Sequence, residues 1–228
     1  MQGLEIHGFI WNLSVVAVPL ILAITVHEMA HGWAAFRLGD RTAADRGRVS
    51  LNPLRHVDPI GTLAVPVGLY LLSFGQLTFG WAKPVPVDSR NFRSPRRDMA
   101  LVALAGPASN FLMASVWSLL VFAQIYVLPV EGAVGQWIFE TRNAGVFVNV
   151  VLGMINLVPI PPLDGSRVLA AIVPSPVALL LDRMERFGIV LVLGLVFILW
   201  YTGQLGPLVE APLGAAVSFF NMLPGVFS

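Results

Sequence analysis

An all-α integral membrane fold, a polytopic helical bundle of about five to six apolar segments, is what this sequence predicts. Three observations carry it. The composition is 56% hydrophobic and 12% charged, roughly half the charge of a soluble domain. The mean hydropathy is +0.76. The apolar residues gather into long runs, separated by short basic stretches rich in proline and glycine. That leaves no room for a sizeable soluble domain, so residues 1–228 read as a single membrane-embedded domain. Its core covers roughly residues 9–170, and C-terminal membrane segments cover roughly 187–228.

Taken in order, residues 9–36 form the first apolar stretch, long enough to span with tilt. Residues 60–81 are irregular, interrupted by Gly61, Pro66, Gly68, Gly75 and Gly80. Residues 99–128 are the cleanest long helix. Residues 144–158 make only ~22 Å of helix before Pro159, Pro161 and Pro162 break it. A fifth stretch covers 187–205. A sixth, 208–223, is weaker, with Glu210 and Pro212 in it, and suits the interface. Residues 81–87, with Pro84 and Pro86, read as a small extended or β element, since proline pushes its preceding residue to extended geometry. Such backbone cannot face lipid, so it is covered by protein or lines a wet cavity.

Charge orients these stretches. Arg37, Arg41, Arg46, Arg48 and Arg55 follow the first stretch; Lys83, Arg90, Arg93, Arg96 and Arg97 follow the second. A spanning second stretch would put these loops on opposite sides, against the positive-inside rule. A re-entrant or shallow one leaves both cytoplasmic, with Arg167, Arg183 and Arg186, and only Arg142 of the 14 basic residues outside. The start, residues 1–5, lacks the basic region of a cleaved signal peptide. Net charge is +1, which suggests no nucleic-acid partner. There is no cysteine, so any metal must use His, Asp or Glu.

His27-Glu28-Met29-Ala30-His31 lies inside the first apolar stretch. Two histidines four residues apart share a helix face, so both imidazoles can reach one Zn²⁺, and Glu28 can act as general base on a water the metal activates. Ionisable groups at this depth are expensive and mark function. A catalytic zinc normally takes three protein ligands. Asp164 is the best distant third, because the fourth stretch runs in the same direction as the first and ends near it. The prolines unwind the chain where a carboxylate must turn inward, and Gly165 allows a tight turn. His56 can bind metal or substrate near the site, or simply pair with Asp58.

These residues resemble the site-2 protease family of intramembrane zinc metalloproteases (peptidase family M50), in its compact bacterial subgroup without PDZ or CBS domains. The matching pieces are the His27–His31 motif, Gly106-Pro107-Ala108-Ser109-Asn110, and Asn156 through Gly165. Asn52-Pro53 to Gly61-Thr62 and residues 80–87 also match, so the resemblance spans about residues 20 to 170. It implies His27, His31 and Asp164 as ligands of one Zn²⁺ per chain and Glu28 as catalytic base. It also implies that Asn156 holds the scissile carbonyl or its oxyanion, with Asn110 in helix packing. The activity expected is hydrolysis of a peptide bond in or near a transmembrane segment of a membrane-protein substrate (regulated intramembrane proteolysis). Residues 81–87 would clamp the unwound substrate by strand addition. The partners are then that substrate and the lipid bilayer. The location is the cell membrane, multi-pass, with the site towards the cytoplasmic side.

Two other classes fit less well. A membrane metal transporter wants ionisable residues along a path across the bilayer, whereas these cluster at one depth. A non-catalytic membrane scaffold has no use for Glu28.

Overall fold

The computed structural model describes residues 6–72, 80–126 and 131–226. These form α1 (Ile6–Leu38), α2 (Thr42–Asp45), α3 (Val65–Leu72), α4 (Pro95–Tyr126), α5 (Gly132–Asn156), α6 (Asp164–Ile172), α7 (Ser175–Glu185), α8 (Gly188–Tyr201) and α9 (Leu205–Val226). A π turn, Pro59–Ala64, precedes α3. Residues 1–5 and the 73–79 part of the second apolar stretch lie outside the described residues.

Each apolar stretch contains a helix, but fewer can cross a bilayer. Among the described residues three are long and apolar enough: Ile10–Leu38, Pro95–Phe122 and Gly132–Asn156. A fourth crossing exists if α7 and α8, bent by 84° at their junction, act as one broken span. The 14 residues of α8 reach only ~21 Å, well short of a ~30 Å hydrocarbon core. The described helical part of the second stretch, 6 residues of π turn and 8 of α3, is equally short.

The fourth stretch is longer than its hydropathy suggested. α5 begins at Gly132, 25 residues in all, and carries Glu140 and Arg142 within it. Local partners make these charges tolerable. Glu140 accepts from Trp11 Nε1 at 2.6 Å and Gln136 Nε2 at 2.8 Å. The Arg142 guanidinium lies 5.2 Å over the Phe139 ring and donates to Asn143.

Polarity is that of a protein solvated by lipid. Outward residues of α1 include Ile10, Leu13, Val16, Leu20 and Ile21, whereas Ala23 and Ala35 are buried. A water-soluble chain rarely exposes so much apolar surface, and small residues let membrane helices approach closely. α1, α4 and α5 pack on one another. Ala114, Val146, Val150 and Phe220 form one core cluster, and Phe220 brings α9 onto α4 and α5.

Trp11 bonds Glu140, and Trp137 Nε1 donates to Ser14 Oγ at 2.9 Å, so the starts of α1 and α5 lie together. Those two helices run parallel, with α4 antiparallel to both. The two basic loops meet at the other end. Asp40 accepts from the Asp88 N–H and from Asn91 Nδ2, and Arg48 donates to the Lys83 carbonyl.

Among the described residues there is no strand. Residues 80–88 lack regular structure, and no ladder forms. Their backbone is held piecemeal instead: Trp81 N–H to Gly61 O, Lys83 N–H to His56 O, and Val85 N–H to Glu28. Pro84 and Pro86 have no N–H to offer on the alternate edge.

Candidate metal centre

His27 and His31 lie one turn apart in the second half of α1, and Asp164 is the first residue of α6. Three features bring them together. α5 ends at Asn156, where a proline-containing turn follows. α6 then starts against that end: a Cβ on Gly165 would sit 2.2 Å from the Leu157 carbonyl oxygen. Gly165 therefore serves close packing inside the first turn of α6, not the tight turn that the sequence suggested. The carboxylate of Asp164 also stands at a helix N-terminus, where the dipole favours negative charge.

The geometry is compatible with a ligand set. His27 Nε2 and His31 Nε2 are 3.0 Å apart, and each is 3.3 Å from Asp164 Oδ2. A tetrahedral zinc with ~2.0–2.1 Å bonds holds its ligands ~3.3–3.4 Å apart. The rings stand edge to face, 87° between planes. Both histidines are over nine-tenths buried.

Tautomers follow from the partners. His31 Nδ1 donates to the Val102 carbonyl at 2.7 Å, and a carbonyl can only accept. His27 Nδ1 donates to Asn110 Oδ1 at 2.6 Å. Both Nε2 lone pairs therefore face Asp164 Oδ2, a buried oxygen with no hydrogen-bond donor. Three acceptors directed at one point repel one another unless a cation lies between them, so the donor set fits a metal. His27, His31 and Asp164 are the cluster of His and acidic side chains among the described residues able to hold one.

Gly106 makes the space. A Cβ there would lie 2.5 Å from His31 Nε2 and 2.6 Å from His27 Cε1. Only a residue without a side chain on α4 leaves room for both imidazoles there.

The other expected residues fall as follows. Glu28 is half-buried, and its Oε2 accepts from the Val85 N–H at 2.9 Å. Asn156 is half-buried and donates to the Leu152 carbonyl, one turn back in its own helix. Asn110, expected in packing, also touches His27. His56 is outside the cluster: its Nε2 bonds the Ser50 carbonyl rather than Asp58, which instead caps the following turn. The sequence reading passed over Gly106 as a cradle, the Val102 carbonyl, and Asn149, which bonds Asn110. Asn149 had a signal: it is a polar residue two turns before Asn156 in the otherwise apolar second half of α5.

The chain is 36% identical over 197 residues to the "Putative zinc metalloprotease" YwhC of Bacillus subtilis, covering 86% of this chain and 84% of that protein. It is 30% identical over 145 residues to the Mycolicibacterium smegmatis protein of the same description, Rip2. It is 31% identical over 139 residues to the regulator of sigma-E protease RseP of Escherichia coli. It spans 52% of the length of that Rip2 and 29% of RseP. No family model and no solved structure matches it.

Proposed function

The chain belongs to the site-2 protease family of zinc metalloproteases, and from that premise we propose that it is an intramembrane endopeptidase. It cuts a peptide bond in or near a transmembrane segment of a membrane-protein substrate, as a step of regulated intramembrane proteolysis. The observation that carries this reading is the convergence of His27 Nε2, His31 Nε2 and Asp164 Oδ2 within 3.3 Å inside the apolar bundle, with Glu28 adjacent in sequence.

His27, His31 and Asp164 hold one zinc per chain. When bound, the ion polarises the scissile carbonyl and lowers the pKa of water. Glu28 takes the proton of the attacking water and passes it to the leaving amine. Its Oε2 is anchored by the Val85 N–H, which leaves the other oxygen to carry that proton. Asn156 uses one amide N–H on Leu152 and has a second for the developing oxyanion.

A helical peptide bond is shielded by its own side chains and hydrogen bonds, so the substrate must unwind locally. Residues 81–87 lie beside Glu28 and receive it. Their inward edge is already bonded at Trp81, Lys83 and Val85. The outward edge offers mainly carbonyl acceptors, because Pro84 and Pro86 lack N–H groups. The positive-inside rule puts the basic loops, and the cluster near them, towards the cytoplasmic side of the cell membrane.

The test is cleavage of a single-span substrate in zinc-supplied liposomes, with fragments located by mass spectrometry. Cuts in or near the span, abolished by chelation, support the proposal. Zinc-loaded protein that cuts no membrane-protein substrate overturns it.

A further inference from the structure

Asn149 has no part in the chemistry above, yet it is completely buried in the bundle, as is Asn110. Its Nδ2 donates to the Gly145 carbonyl at 2.9 Å, one turn back in α5. A carbonyl can only accept, so this bond fixes which way the Asn149 amide faces and turns its Oδ1 towards α4. There it accepts from Asn110 Nδ2 at 3.1 Å. The Ala23 carbonyl of α1 takes a second, longer bond from the same nitrogen, 3.3 Å. With its NH₂ committed to two acceptors, Asn110 can present only Oδ1 to His27, at 2.6 Å. His27 must then carry its proton on Nδ1 and leave Nε2 bare.

We infer that Asn149 is a positioning residue for His27: acting through Asn110, it sets the tautomer in which His27 Nε2 can bind a metal. The inference rests on the metal-site part of the function proposed above. The relay spans three helices, and its outer anchor is a backbone carbonyl, so its sense does not depend on solvent. Without the Asn149 acceptor, Asn110 is held by the longer Ala23 bond alone. A flipped amide offers N–H groups to His27 Nδ1, moves the imidazole proton to Nε2, and blocks the metal.

The experiment is zinc affinity of the purified full-length protein, by chelator competition at one fixed pH and without substrate. Loss of an outer partner of a ligating histidine typically weakens metal binding ~10–100-fold, and Asn149→Leu is expected in that range. The decisive comparison is the same substitution in an Asn110→Asp background. Aspartate has two acceptor oxygens and cannot be flipped, and its second oxygen would face the Asn149 Oδ1, so there Asn149→Leu should not weaken zinc binding, a coupling that a double-mutant cycle reads directly. A packing defect would weaken zinc equally in both backgrounds, and that result overturns the inference. So does wild-type affinity for Asn149→Leu alone. If Asn149→Leu does not fold, Asn149→Ala is read in the same way. Cleavage is not the readout, so failure of the relay leaves the protease proposal standing. Zinc binding that survives loss of both His27 and His31 would instead remove the metal site itself.

Discussion

Glu28 Oε2 accepts a hydrogen bond from the Val85 N–H, 2.9 Å away and 57 residues later in the chain. This bond joins the motif on α1 to the irregular segment between the second apolar stretch and α4. That segment is further secured by Lys83 N–H on His56 O, by Arg48 on the Lys83 carbonyl, and by Asp40 on the Asp88 N–H. The proposed base and the backbone proposed to receive substrate therefore form one unit.

Glu28→Gln should retain zinc and lose cleavage. Glutamine keeps an acceptor oxygen for the Val85 N–H, so the segment stays seated, and the histidines are untouched. It cannot take the proton of water, and loss of a general base costs at least ~10²–10⁴-fold in kcat. Turnover and zinc content measured on the same samples check this. Near-normal turnover by the zinc-loaded variant would remove Glu28 from the chemistry.

Gly106→Ala should weaken zinc binding by at least ~10-fold, although alanine is the better helix former by ~1 kcal/mol. The added methyl would lie 2.5 Å from His31 Nε2 and 2.6 Å from His27 Cε1, so both rings must move. Chelator competition reads the loss. An unchanged affinity would show that α4 yields at this point without disturbing the ligands.

The Asp40 anchor should give way in acid. Burial alone would raise its pKa, but bonds from Thr42, the Asp88 N–H and Asn91 more than offset that and hold it below the ordinary aspartate value. A carboxylate depressed in this way contributes its full stability above the unfolded pKa. The contribution fades as pH falls through the lower folded value. Hydrogen exchange at residues 83–91 should therefore quicken between about pH 4 and the folded pKa. Asp40→Asn should release the segment at neutral pH, at a cost of about 1–3 kcal/mol, because its NH₂ must face a donor. Protection independent of both changes would contradict the anchor.

Asn156→Ala should lower kcat by about 10²–10³-fold, the typical cost of one oxyanion donor, while zinc affinity stays within about 2-fold. The Leu152 bond it also makes is local and lies at the helix end. A parallel loss of zinc would recast Asn156 as a structural prop for the turn to Asp164.

Much of the candidate site was legible because the spacing of its histidines has a helical period. Two histidines at i and i+4 must share a face whatever surrounds them, and the prolines after Asn156 mark where α5 ends. Periodicity could not reveal what holds the imidazoles. The Val102 carbonyl is backbone, Gly106 acts by lacking an atom, and Asn149 acts through a second asparagine on another helix. The fold was harder to read at charged positions. Hydropathy placed the start of the fourth stretch after Arg142, because it cannot see that Glu140 and Arg142 find partners on α1 and α5. Likewise the prolines of residues 81–87 signalled extended backbone, but which groups would bond it depended on loops far away in sequence.

The last prediction concerns sidedness. Arg46 and Arg93 are both exposed, and they lie in the two basic loops that Asp40, Arg48 and Asn91 tie together. Bonds of this length cannot reach across a ~30 Å hydrocarbon core, so both loops must occupy one side of the membrane. The chain has no cysteine, so single cysteines at 46 and 93 are clean reporters. In inverted vesicles, whose cytoplasmic face is outward, an impermeant thiol reagent should label both, and in intact cells neither. Labelling of both only in intact cells would reverse the orientation inferred from the basic residues. Labelling of one in each preparation would break the loop contacts themselves, and with them the route by which residues 81–87 reach Glu28.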